Sequence, residues 1–136
     1  MANIHTFAYN IKQDVAMAYA TLNNSSNTPT YYSMANYDLA VFLVLTGTLT
    51  GGASLDMQMR QRIGAAGTQA NLGTAVTAFT TDDAIQVLQA RGEELTVNSG
   101  YTHVGILITE TATANAVVGA ILLRCRARYK QATLPA

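Results

Sequence analysis

The residues able to do chemistry are few, and their spacing suits little chemistry. Two histidines, His5 and His103, stand far apart with no His-x-His or His-x-x-x-His pattern. The several clustered ligands of a barrel-type metal site are therefore not in view. The acidic pairs Asp82-Asp83 and Glu93-Glu94 are adjacent, and neighbours on a strand point to opposite faces. They are poor acid–base dyads and suit solvated turns. Ser33 and Ser54 lie in no nucleophile-elbow context. Residues 64–73 are Gly-rich but lack the lysine of a phosphate loop. The single Cys125 excludes an internal disulfide. With Leu123 and Ala127 at strand spacing, it reads as a small buried hydrophobe. His103, between Tyr101 and Gly105, reads as a packed or interface residue. The expectation is a protein that is not an enzyme and uses neither metal nor cofactor.

One charged pattern is more regular. Arg124, Arg126, Arg128 and Lys130 recur at strict period two, so an extended chain sets all four on one face. Residues 124–136 hold these four cations and no acid, which leaves the rest of the chain four charges negative. Three uses are open: a solvated edge that discourages strand aggregation, a docking stripe for an acidic partner surface, or phosphate binding. Only Tyr129 interleaves an aromatic with the stripe, which weakens the last. Val118, Ala120 and Leu122 continue the same face as apolar residues.

The elements that must carry these residues are strands. Residues 53–60 alternate Ala53, Leu55, Met57 and Met59 with Ser54, Asp56, Gln58 and Arg60, the mark of a half-buried strand. Residues 37–46 are nearly all apolar and predict a central strand covered on both faces. Residues 102–110 set Val104, Ile106 and Ile108 against Tyr101, His103, Gly105 and Leu107. Residues 116–129 align Val117, Ile121, Leu123, Cys125, Ala127 and Tyr129. Shorter candidates occupy 4–11, 15–22, 76–79 and 84–89, of which 15–22 would also tolerate a helix. Residues 23–29 form a polar loop, 65–73 carry no pattern, and 91–95 could form one helical turn. Seven to nine short strands predict an antiparallel all-β sandwich or barrel. Phe42, Val44, Leu55, Met57, Val104, Ile106, Ile108, Ile121 and Leu123 are predicted to lie in or beside the core. Second apolar faces, with Leu107 beside Tyr101 and His103 and with Val118 beside Ala120 and Leu122, predict a twofold homodimer.

Composition bounds the rest. The 136 residues suit one domain over 1–136, with 1–32 its least patterned part. Hydrophobic residues make up 49% and charged residues 12%, about half the charge of an ordinary soluble domain. Thr, Ser, Asn and Gln, 39 in all, take over the polar role. Such hydrophobicity excludes a disordered chain. Zero net charge disfavours direct nucleic-acid binding. No apolar run approaches the roughly 18–20 residues of a membrane span. The N-terminus lacks a basic region followed by an apolar run, so no secretory leader is expected.

The order of segments resembles a known family. Ser33-Met34-Ala35-Asn36-Tyr37 leads to an apolar strand ending in Thr46-Gly47-Thr48-Leu49, then the alternating Leu55-Asp56-Met57-Gln58-Met59. Ala78-Phe79-Thr80, Arg91-Gly92-Glu93-Glu94-Leu95 and Gly100-Tyr101-Thr102-His103-Val104 follow. Across 33–129 this is similar to the head decoration or cementing proteins of tailed bacteriophages, above all those with a jelly-roll fold. The resemblance implies a jelly-roll sandwich made in the host cytoplasm and carried on the capsid exterior. It further implies the major capsid protein as partner, dimers on local symmetry axes, and a mechanical role against the pressure of packaged DNA. It carries over no catalytic residue. A carbohydrate- or receptor-binding jelly-roll module of a virion is the alternative. Without Trp, its sugar-stacking candidates would be Tyr31 and Tyr32.

Overall fold

The computed structural model describes residues 11–95 and 100–127, with the side chains of 126 and 127 outside the description. The strands are β1 (Ile11–Leu22), β2 (Tyr32–Ser33), β3 (Tyr37–Leu49), β4 (Leu55–Ile63), β5 (Gln69–Asn71), β6 (Val76–Phe79), β7 (Ile85–Arg91), β8 (Tyr101–Glu110) and β9 (Ala116–Ala127). One sheet runs β1-β9-β3-β7; the other runs β2-β8-β4-β5, with β6 also pairing β4. Every pairing is antiparallel. Apart from β5 and β6, which both serve β4, successive strands alternate between sheets. That winding is the jelly-roll form of the sandwich.

Alternation decides what each strand buries. Phe42, Val44, Val118 and Leu122 from the four-stranded sheet meet Leu55, Met57, Val104, Ile106 and Ile108 from the other, all without solvent exposure. Two expectations fail here. Residues of β3 at 39, 41, 43 and 45 stay half-exposed, so the strand is covered on one face only. In β9 it is Val118, Ala120 and Leu122 that enter the core, while Ile121 is exposed and Leu123 half-exposed. Both faces of β9 are apolar, so its own periodicity could not choose between them; the register with β3 does.

The ambiguous stretch 15–22 is strand, with ladder irregularities between Val15 and Met17 and between Met17 and Ala20. Residues 76–79 form β6 as expected, and a single 3-10 turn occupies Gly92–Glu94. The patternless 65–73 contains the short β5. Among the described residues no helix is long and apolar enough to cross a membrane. Most of the candidate strand 4–11, and His5 with it, lies outside the described residues.

One end of the sandwich is tied by a single carboxylate. Glu110, at the end of β8, is fully buried. It accepts backbone N–H bonds from Asn24 (2.7 Å), Ala112 (2.8 Å), Ser54 (3.3 Å) and Ala114 (3.3 Å). These donors come from the connections that follow β1, β3 and β8. Burial by itself pushes the Glu110 pKa up. The four N–H groups outweigh it and bring the pKa down to about 2.

Candidate functional site

The outward face of the β1-β9-β3-β7 sheet is the feature that interior packing does not explain. Register aligns Val15, Ile121, Leu43 and Val87 in one row across all four strands. The next row is Gln13, Leu123, Val41 and Gln89, and the one beyond it Ile11, Cys125, Leu39 and Arg91. On the other side Gly119, Leu45 and Ile85 align. Ile85 is 62% exposed, Val15 61%, Val87 49% and Ile121 38%. With strands about 4.8 Å apart and alternate residues about 6.8 Å apart, these rows cover on the order of 400 Å². Gln13, Gln89 and Arg91 interrupt these rows, and exposed apolar patches of a few hundred Å² are often functional.

Tyr19, 62% exposed, extends the patch by lying across two glycines. A Cβ on Gly119 would come 2.9 Å from its ring, and one on Gly47 would collide with its hydroxyl. Both positions face outward beside the apolar rows, so their lack of a side chain lets an aromatic ring lie flat on the sheet. Among the described residues, charge on this face appears at the rim. Arg91 pairs with Glu93 at 3.5 Å beside a shallow depression of about 290 Å³ lined by Leu39, Gln89, Arg91, Glu93 and Glu94.

The expected docking stripe does not form as drawn. Arg124 points inward and is buried. Its Nε donates to Asp14 Oδ2 at 3.0 Å, its Nη2 forms an ion pair with the same oxygen at 2.8 Å, and its Nη1 donates to the Ser33 carbonyl at 2.8 Å. The guanidinium centre lies 4.8 Å from the Tyr37 ring centroid and 5.4 Å from that of Tyr32. Arg124 thus staples β9 and β1 to β2 of the opposite sheet, and its charge is spent inside the molecule. The Arg126 side chain, Arg128, Tyr129 and Lys130 lie outside the described residues.

The expected self-association surface is also divided. Val118, Ala120 and Leu122 are core and cannot face a partner. Tyr101, His103 and Leu107 are half-exposed on the outer face of the other sheet, where Leu107 stands opposite Gln58 and His103 opposite Arg62. They form no continuous apolar surface. The sequence pattern sets Ile121 and Leu123 in or beside the core and leaves Val15, Ile85 and Val87 unassigned. The available signal was that 85 and 87 repeat the outward parity that β3 shows at 43 and 45.

No protein-family model matches the sequence, and no curated protein is similar to it. Solved structures are more informative. The chain is similar to the crystal structure of the infectious bursal disease virus VP2 subviral particle, with a TM-score of 0.60 and 10% identity over 88% of this chain and 33% of that one. The structure of the Gx strain of infectious bursal disease virus gives 0.57 at 12% identity over 86% and 32%. The T13 particle of the same virus gives 0.55 at 10% over 85% and 31%. The protein shares its jelly-roll fold with viral capsid chains. It spans about a third of their length, and at these identities the likeness is one of fold. Among the described residues no group of three or more His, Cys, Asp or Glu side chains is placed to hold a metal.

Proposed function

We propose that the protein is a structural virion component that binds the outside of a phage capsid and cements neighbouring major capsid protein subunits. The outer β1-β9-β3-β7 face is its docking surface. The observation that carries this reading is the row Val15, Ile121, Leu43 and Val87, apolar from edge to edge, with Val15, Ile121 and Val87 open to solvent and Leu43 partly so. Burial at roughly 25 cal/mol per Å² gives such a patch enough driving force for association once a partner excludes water. The part of that gain lost to association entropy is offset when many copies bind one shell, each bridging two subunits. A rigid sandwich suits a mechanical staple. The likeness to capsid chains agrees in fold, and the resemblance to decoration proteins agrees in role.

The test is co-sedimentation of the purified protein with capsids stripped of it. The wild type should pellet with the shells, and Ile121→Lys with Val87→Lys should leave it in the supernatant while folded. Failure of the wild type to bind, together with binding to a glycan array, would replace this reading with the carbohydrate-binding one. A wild type that forms dimers through this face and ignores capsids would make self-association its use.

A further inference from the structure

The outer face of the second sheet gathers positive charge that no Asp or Glu among the described residues pairs with. Arg60 and Arg62 both point outward from β4, two residues apart. All eight Asp and Glu side chains belong to described residues, and among the described residues no ion pair involves either arginine; the pairs there include Arg91–Glu93 and Arg124–Asp14. Arg62 is fixed in place. It donates to the carbonyls of Gly64 and Ala65, and its guanidinium centre stacks 4.1 Å from the Tyr31 ring centroid. The Nε of Arg60 is buried without a hydrogen-bond partner. Across the ladder, His103 stands opposite Arg62 and Gly105 opposite Arg60.

Gly105 explains how the cluster assembles. A Cβ there would lie 2.9 Å from the Thr30 carbonyl and 3.0 Å from the Tyr31 ring. The missing side chain lets the chain before β2 cross the sheet. Tyr31 then reaches β5, where its hydroxyl donates to Gln69 Oε1 at 2.6 Å. Burial raises the Tyr31 pKa against the opposing pull of Arg60 and Arg62, so the phenol stays neutral and cancels neither cation. His103 engages Thr102 Oγ1 through Nδ1 at 2.9 Å, which leaves Nε2 as a further donor when Thr102 supplies the proton to Nδ1.

We propose that Arg60, Arg62 stacked on Tyr31, and His103 opposite Arg62 form a binding site for a single oxyanion group, either a carboxylate or a tetrahedral sulfate or phosphate. Arginine forks match both geometries, and two guanidinium groups held partly out of water with no counter-ion among the described residues are a receptor in want of its anion. The site is on the opposite sheet from the docking face and stands independently of the cementing role.

The test is an NMR titration of the full chain with sodium sulfate, sodium phosphate and sodium acetate, against sodium chloride at constant ionic strength. Saturable shifts of the Arg60 and Arg62 Nε–H signals and of the His103 ring are expected with at least one oxyanion and not with chloride. A stronger response to acetate would identify a carboxylate site, and one to sulfate or phosphate a tetrahedral site. Arg60→Gln and Arg62→Gln should each weaken binding by about tenfold or more, whereas Lys12→Gln on the other sheet should leave it unchanged. Should Arg62→Gln disturb the fold, Arg60→Gln carries the test, because its Nε–H loses no partner. Shifts that stay linear and match chloride, or that persist in Arg60→Gln, would overturn the site.

Discussion

The two sheets bury the same kind of interior and present opposite exteriors. Both inner faces are Val, Leu, Ile, Met and Phe, packed to exclude solvent. Outside, the four-stranded sheet is apolar and bare, with Val15, Ile121, Leu43 and Val87 in register. The five-stranded sheet carries Asp56, Gln58, Arg60 and Arg62 along β4, and the segment holding Tyr31 crosses it at Gly105. A sandwich needs only its inner faces to fold. The contrast therefore lies outside the folding problem, and the bare face is the one whose composition folding does not account for.

The sharpest way to break the comparison is to remove the link between the sheets. Arg124→Ala leaves Asp14 without its cation in a buried setting, where breaking an ion pair costs about 3–5 kcal/mol. Urea unfolding should show that loss. If Arg124 were instead the exposed docking residue that period two predicts, the change would cost less than about 1 kcal/mol.

A pair of isoleucines sharpens the same contrast. Ile106→Ala empties a fully buried site and should cost about 2–5 kcal/mol. Ile121→Ala, on the outer face and 38% exposed, should cost about 1 kcal/mol or less. Equal losses in thermal melts would mean that the outer face is covered and would undo the docking assignment.

These two positions also show where the sequence stopped being legible. Strand after strand was readable, because polar and apolar residues alternate in β4 and β8 and turn residues punctuate them. Residues 76–79 match β6, and the turn at Gly92–Glu94 falls inside 91–95. The inward face of β9 was not readable, since Val117, Ile121 and Leu123 make as good a stripe as Val118, Ala120 and Leu122. Arg124 seemed to assign the second set to solvent. Its partner Asp14 lies 110 residues away, and a contact of that separation leaves no local trace. The same holds for Tyr31 and Arg62, which meet only because Gly105 on a third strand lets the chain cross. Short β5 and β2 were missed because they complete neighbouring strands and carry no period of their own.

A third prediction concerns the end of the sandwich that both sheets share. The folded pKa of Glu110, about 2, lies below its ordinary 4.5, so its ionised form favours the folded state. That stabilisation is fully present above about pH 5 and is lost as pH falls through the carboxylate range toward 2. Glu110→Gln should lower stability at neutral pH, because an amide turns N–H donors toward the N–H groups of Ser54, Ala112, Asn24 or Ala114. It should also flatten the decline in melting temperature between about pH 5 and pH 2. An unchanged acid limb in the variant would show that other carboxylates govern acid unfolding.

The smallest expected effect on stability is the most telling about function. Val87 is half-exposed at the β7 edge of the apolar row, and Val87→Lys should change folding stability by no more than about 0.5 kcal/mol. The long side chain can lay its methylenes along the sheet and keep its ammonium in water. Against a docked partner that escape closes, since the charge must be desolvated with no acid on the face to receive it. Burying an unpaired charge costs several kcal/mol, so on the proposed docking role attachment to capsids should fall by well over tenfold while the melting temperature holds. Asp and Lys at this position should act alike, because the penalty comes from desolvation and not from the sign of a partner's field. If Val87→Lys weakened attachment while Val87→Asp strengthened it, the contact would be electrostatic and the apolar row incidental to it.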